Sequence, residues 1–540
     1  MDTMSQTYEY VICGGGTVGC VLASRLSQAG HSVLVVEAGP EDYNDKIMSP
    51  VAAPHLHGTE WEYNFMTTKQ PGLGNRCVPN YEGKLLSGSS GINYGLWTRG
   101  HSVDYDAWAK AVGDERWNYA NMLKFFKMTQ THHDPTGSPD KYGFSGPIAT
   151  TAAARIYPLR EPIRQAMSAA GLHYNPDTNG GSPLGFGPFT ENWKNALRQP
   201  ASKAYDLSKA TVRTNSVVAR VDFDDSKTAT GITLTDGTQY TATRDVLVTC
   251  GALKTPQLLM LSGIGPQQHL AHHKIPTIAD LPVGENYHDK ISATFFWKLR
   301  NPENGYALGS PLFNKPEFRH GNPIEWVATV PTPHAELIKA AQKDQIDPAD
   351  PYLQEPRGNV EVMVAYAPIA GGGSEFRVPM DGNHISSPVV LLLPTSRGRV
   401  TLASADPTVD PVLDPRYLDT ETDRAAIRAG MRMALRVMET EAAQEVIDGE
   451  TPPPGHEPIT SACSDADLDR RVQIVGSSFF QNAGTAAMGT VVDTQCRVKG
   501  VHNLRVCDAS VLPVPLAGHY QAPMYAFGEA VAEMLLAQEE

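Results

Sequence analysis

Six residues near the start of the chain, Gly14, Gly15, Gly16, Thr17, Val18 and Gly19, restrict its fold more than any other segment. They spell G-x-G-x-x-G directly after YEYVIC (8–13), whose apolar and β-branched character reads as a strand. CVLASRLSQAG follows with helical periodicity, placing Val21, Leu22 and Leu26 on one face, and Gly30 marks the stop. A second strand, HSVLVVE (31–37), ends on an acid. Strand, glycines, helix, strand and terminal carboxylate in this order form a dinucleotide-binding βαβ unit. Gly14 permits the tight turn, Gly16 lets the backbone approach a pyrophosphate, and Gly19 lets helix and strand pack closely. The helix N-terminus at Thr17 and Val18 offers unpaired N–H groups to phosphate. Glu37, with Ala38 beside it, is placed to accept hydrogen bonds from an adenosine ribose. A carboxylate there repels a 2′-phosphate, which disfavours NADP and leaves NAD and FAD open.

At 540 residues the chain exceeds the roughly 100–150 of a typical domain, so two or more packed units are expected. A hydrophobic share of 41% against 19% charged suits a large globular core. The net charge of −14 argues against nucleic acid as a partner, because such binders need a basic surface to displace counterions. No apolar run reaches the length of a bilayer-spanning helix, and the start of the chain lacks the pattern of a secretory leader. Seven cysteines are scattered, odd in number and without metal-ligand spacing, which reads as free thiols in a reducing compartment. The expectation is an intracellular, cytoplasmic enzyme without a membrane or metal partner.

Longer motifs recur down the chain. GKLLSGSSGINYGLWTRG (83–100) precedes DYDAWA (104–109), and GALKTPQLLMLSGIG occupies 251–265. VGENYHD (283–289), PTSRGRVTLASADP (394–407), DPRYL (414–418) and VVDTQCRVKGVHNLRVCDASVLP (491–513) follow. In order and spacing these resemble the glucose–methanol–choline (GMC) oxidoreductases, with Ser87 where the first signature usually has a glycine. The resemblance implies FAD as cofactor and an α/β fold: a discontinuous, Rossmann-like FAD-binding domain and an α+β substrate domain built on an antiparallel sheet. The expected divisions are 1–295 and 476–540 for the first and 296–475 for the second. The apolar runs VEVMVAYAP and PVVLLLP suit strands of the latter sheet, and the Pro/Gly-rich stretches 331–358 and 371–382 suit entrance loops. The resemblance also implies cofactor contacts from Ser87, Gly88, Ser90, Asn93, Tyr94 and Gly95, a backbone contact to adenine from Val218, and further contacts from Asp508, Ala509, Tyr520 and Gln521. Gly91 stands where some members carry a histidine linked to FAD, so non-covalent binding is expected.

The resemblance places two active-site positions. His519, in LAGHYQAP, aligns with the second; FFQNAGTAAMG (479–489) puts Gln481 where the first usually has histidine. Glutamine has no titratable group near neutral pH, so it can orient a hydroxyl or carbonyl but cannot act as a base. His519 is then the candidate base, with Gln481 and Asn482 as polar positioners. The implied activity is oxidation of a hydroxyl on a small, apolar or aromatic substrate by hydride transfer to flavin N5, with oxygen or another electron acceptor restoring the flavin. The missing histidine keeps open a non-oxidative cyclase, lyase or isomerase that retains FAD.

Overall fold

The computed structural model describes residues 6–134, 137–152, 157–319, 321–354, 356–370, 374 and 376–537. Strand β1 (Gln6–Cys13) is buried over its second half, and it becomes the middle of a sheet because both its edges are paired. The glycine turn leads into helix α1 (Thr17–Gln28), which returns the chain to β2 (Val33–Val36), parallel to β1. Strands β3 (Thr211–Arg213), β4 (Val218–Phe223), β5 (Ala229–Leu234) and β6 (Gln239–Val248) complete the main path, in the order β4-β5-β6-β1-β2-β3. Strand β6 runs parallel to β1 from Gln6↔Tyr240 to Cys13↔Val248. On its other edge the first half pairs antiparallel with β5, and the second half takes Leu504–Val506 in parallel. Helix α2 (Gly251–Leu261) follows β6 within the second long motif.

The second sheet is antiparallel throughout. Strands β7 (Ile291–Leu299), β8 (Ile324–Val330), β9 (Val360–Ala365), β10 (His384–Leu391) and β11 (Ile447–Glu450) are ordered β11-β7-β10-β9-β8, and Gly185–Pro188 adds beyond β8. The apolar runs at 360–365 and 384–391 are thus sheet strands, buried because helix α3 (Glu421–Met438) covers one face. Gly430 lets α3 approach: a Cβ there would lie 2.2 Å from a Val360 methyl. A division at 295/296 would cut through β7, a continuous strand bonded to β10 from Ser292 to Lys298, so the second sheet starts earlier than expected. Ser477–Ser478 also pairs with β7, which carries residues 479–482 beneath this sheet. Within 331–358, His334–Lys343 is helical rather than looped; of the other expected entrance stretch, 371–373 and 375 lie outside the described residues. The chain ends in helix α4 (Gln521–Leu536) against α1, where Arg25 grips the buried Glu529 with bonds of 2.8 and 2.7 Å. Among the described residues no helix is long and apolar enough to cross a membrane.

Gly19 holds α1 to the start of the sheet. A Cβ there would lie 2.2 Å from the Gly14 carbonyl oxygen, which cannot retreat without moving backbone, and 2.9 Å from the Thr249 hydroxyl. Gly19→Ala should therefore destabilise the protein by about 1–3 kcal/mol, the usual cost of overpacking. A lower melting temperature in thermal unfolding checks this; an unchanged one would show that the helix can shift freely.

Candidate active site

A cavity of about 850 Å³ lies between the two sheets and draws its wall from both. On the first sheet's side Gly14, Gly16, Thr17, Val18, Glu37, Ala38 and Val218 line it. Gly14 has φ +105°, a left-handed conformation that disfavours any side chain, and its Cβ would strike the Thr249 carbonyl at 2.5 Å. At Gly16 the nearest atom to an added Cβ is 3.7 Å away, so the backbone presents an open face to the cavity. No side chain caps α1 at Gly16, which leaves its first N–H groups for a ligand. Glu37 accepts from the N–H of Gly15 and of Gly39, both at 2.8 Å, and burial pushes its carboxyl up to about 7.

The loop after the hairpin Glu62–Met66/Pro79–Gly83 meets this turn backbone to backbone. Ser87 N–H donates to the Gly15 carbonyl at 2.7 Å, and a Cβ on Gly88 would lie 2.8 Å from Gly16 Cα. Gly88, Ser90, Asn93, Tyr94 and Gly95 line the cavity. Ser87 does not: at φ +95° its side chain turns away, and its hydroxyl pairs with that of Ser202 at 2.7 Å. Its contribution is to brace the loop rather than to line the cavity as expected. Gly19 is also off the wall, in keeping with its packing task.

Asp508, Ala509, Tyr520 and Gln521 line the cavity, as do Gln481, Asn482 and His519. Asp508 is engaged by protein: it accepts from Gly251 N–H (2.9 Å) and the Thr255 hydroxyl (2.6 Å), capping α2, and from Ser510. Asn482 is likewise locked. It exchanges hydrogen bonds with Asn80 at 2.8 and 2.9 Å, accepts from the Tyr287 hydroxyl at 2.7 Å, and reaches Glu82 at 3.4 Å. An amide so fully occupied has little left for a substrate. Gln481 differs: its backbone N–H is held by Asp289 at 2.7 Å, while its side-chain Oε1 is buried without a protein partner. Gln521 Nε2 is another such orphan on the wall. Buried orphans cost about 1–3 kcal/mol each unless a ligand satisfies them. Open glycine backbone, an uncapped helix start and unpaired amides together suit a bound dinucleotide and a polar substrate group.

His519 is buried, its backbone N–H given to the Thr98 hydroxyl at 2.6 Å. Its Nε2 lies 2.9 Å from Glu361 Oε1 on β9. Glu361 signals itself in sequence only as a lone charge within the apolar run VEVMVA. Lys290, whose Nζ donates to the carbonyls of Leu516 (2.9 Å) and Gly518, holds the segment ahead of His519; burial pushes its ammonium down to about 7. Phe479 packs edge-on against His519 at 5.3 Å, and Phe480, at φ +58°, packs against a second cavity histidine, His57, at 5.2 Å.

Comparison with known proteins decides what this architecture is. The two halves of the GMC oxidoreductase family pattern match residues 8–292 and 394–528. The chain belongs to the GMC oxidoreductase family. A GMC-type oxidoreductase, acuG, of Aspergillus aculeatus is 87% identical over 99% of this chain and 100% of its own. An oxygen-dependent choline dehydrogenase of Staphylococcus saprophyticus is 31% identical over 98% of this chain and 95% of its own. Among solved structures, a formate oxidase of Aspergillus oryzae superposes with TM-score 0.89 at 28% identity, covering 99% and 98% of the two chains. Pyridoxine 4-oxidase, described from Mesorbium loti, gives 0.85 at 27% identity, covering 98% and 99%. This chain is therefore an FAD-dependent oxidoreductase acting on alcohol-type groups.

Sequence reasoning did not single out Glu82 on the wall of this GMC cavity. Its carboxyl is pushed up to about 8, first by burial and then by the nearby Asp508, against the pull of Asn482 and Lys254. A folded-state value raised above the unfolded one means that the unfolded chain ionises first. The stability Glu82 contributes is therefore complete below about pH 4.5 and is lost as pH climbs through about 8. Glu82→Gln, in flavin-free protein, should flatten the fall in melting temperature between pH 5 and pH 8. Parallel curves for variant and wild type would contradict this.

Proposed function

We propose that this GMC oxidoreductase oxidises a hydroxyl group of a small, apolar or aromatic alcohol, with His519 as the base. The observation that carries the reading is the buried pair of His519, on the cavity wall, with Glu361. Glu361, accepting at 2.9 Å, fixes the ring proton on Nε2 and leaves Nδ1 as the basic nitrogen. His519 takes the hydroxyl proton of the substrate, and Glu361 stabilises the imidazolium that results. Gln481, on the cavity wall, orients the substrate by donating from its amide N–H to the hydroxyl oxygen, which leaves the O–H proton for His519. Asn482 acts from behind, fixing Asn80 and Glu82. Ile324, Met363, Ala365, Ile369 and Phe479 give the second sheet's side of the cavity an apolar lining, which supports the substrate class. Bound FAD supplies the hydride acceptor, and oxygen or another acceptor receives the electrons in turn. The relatives named above are described as oxidoreductases, oxidases or a dehydrogenase, which favours oxidation over a cyclase, lyase or isomerase reaction.

The cofactor is held without a covalent link, since Gly91 offers no side chain to form one. Acid precipitation should release FAD into the supernatant; yellow colour remaining with the pellet would contradict this. The base is tested by anaerobic mixing with benzylic alcohols, following the bleaching of the flavin. His519→Ala should slow bleaching by about 10²-fold or more, the scale of a lost general base. Gln481→Ala should cost less and leave the inflection of the pH–rate curve where it is in wild type. Bleaching by His519→Ala at close to the wild-type rate would place the base elsewhere.

A further inference from the structure

A second histidine–carboxylate unit lines the same cavity, and the reaction above does not use it. His57 Nδ1 lies 3.1 Å from Glu62 Oε1, and His57 Nε2 lies 3.0 Å from the Tyr94 hydroxyl. The other Glu62 oxygen accepts from Gly58 N–H at 3.1 Å. Glu62 is buried and acts through both oxygens as an acceptor, so it holds the imidazole proton on Nδ1. Nε2 is then the acceptor for the Tyr94 phenol, and the chain Glu62–His57–Tyr94 has one direction of hydrogen bonding along its length. The hairpin fixes the unit: Glu62 and Tyr81 project from one face, and Tyr81 stacks on the His57 ring at 4.7 Å and 18°. Phe480 packs against both rings, 5.2 Å from His57 and 5.1 Å from Tyr81, so consecutive phenylalanines, 479 and 480, touch His519 and His57 respectively.

The two units differ in their surroundings. Both His519 and Glu361 are buried, with side chains 8% and 2% exposed. His57 sits in a turn between the exposed His55 and Gly58, with 16% of its own side chain exposed. Tyr94, His57 and Glu62 all line the cavity, so the whole unit is within reach of its contents.

We infer that Tyr94, His57 and Glu62 form a proton relay on the cavity wall, which takes up the proton captured by His519 and returns it when the electron acceptor is reduced. This rests on the oxidation reading above. A cavity water that takes the proton from His519 passes one to the Tyr94 oxygen as the Tyr94 proton moves to His57 Nε2. The imidazolium, stabilised by Glu62, holds the proton, and reversal of the same steps returns it to the cavity when the acceptor takes the electrons. The proton enters and leaves by one path, each group returns to its starting state, and no electrons move through the relay. Tyr94 meets the cavity contents; His57 and Glu62 act through it as positioning and transfer groups. The relay would supply the second proton acceptor that Gln481 cannot be.

The test is steady-state turnover of the FAD-loaded enzyme with benzyl alcohol, with bound FAD measured in every variant to certify the fold. His57→Ala should lower kcat by about 10-fold or more with little change in KM, and added imidazole should restore most of it in a concentration-dependent way. Tyr94→Phe should lower kcat similarly and gain nothing from imidazole, because its break lies nearer the cavity. Glu62→Gln should weaken turnover without unloading FAD. A wild-type kcat in His57→Ala, or no response to imidazole, overturns the relay while leaving the oxidation reading intact. If wild-type enzyme bleaches with no alcohol, the oxidation reading fails instead. The relay is then decided by nitrogen-15 spectra of ring-labelled histidine. A shift of one Nε2 resonance in Tyr94→Phe supports the hydrogen-bonded chain, and an unmoved spectrum overturns it.

Discussion

The active site depends on how residues 516–520 are fixed. This segment crosses the cavity without a strand partner of its own, so its backbone polar groups must be satisfied by side chains. Asp104 accepts from Ala517 N–H at 2.6 Å and is itself paired with the buried Arg357. Lys290 takes the carbonyls of Leu516 and Gly518, Thr98 takes His519 N–H, and Glu361 takes the His519 ring. These anchors come from different parts of the chain, and several are ionisable groups removed from water. Breaking one partner of a buried ion pair typically costs about 3–5 kcal/mol, so the segment is held by interactions that resist partial loosening. The orientation of the imidazole follows from that clamp rather than from its neighbours in sequence.

The parts of this arrangement that sequence reveals are those written in local spacing. Gly14, Gly16 and Gly19 declare their tasks because turn, phosphate approach and helix packing all occur within one βαβ unit. The strands at 360–365 and 384–391 are equally visible, since burial on both faces demands an unbroken apolar run. Pairings across long separations leave no such trace. Glu361 and His519 are 158 residues apart, and Asn80 and Asn482 are 402 apart. No periodicity announces that Asn482 is bound into a network or that Glu62 reaches back to His57. Ser87 misleads for a different reason: it sits inside a glycine-rich loop whose other members line the cavity, and only its left-handed backbone turns it outward. The strand at 291–299 runs across the expected division at 295/296 because its hydrogen bonds, not its composition, define its sheet.

Acids gather where the dinucleotide would lie. Glu37, Glu82 and Asp508 all face the cavity, and burial raises each carboxyl above its ordinary range. Their hydrogen bonds differ, however. Glu37 and Asp508 answer to backbone N–H groups that favour the ionised form, whereas Glu82 has mainly the Asn482 amide and the more distant Lys254. A wall of this kind can change its total charge with little rearrangement of atoms. Such a wall suits a ligand that carries both phosphate and hydrogen-bonding ribose, because local charge can adjust to each.

Strand β6 gives its edge to two different neighbours, first to β5 and then to Leu504–Val506. The late strand docks on β6, and residues 516–520 and α4 come after it in the chain. During synthesis the first sheet can assemble its early strands long before these last segments emerge from the ribosome. His519 thus arrives long after the glycine turn that it faces across the cavity. A chain interrupted between β6 and residue 519 would own most of a nucleotide cavity and yet lack the base proposed for turnover.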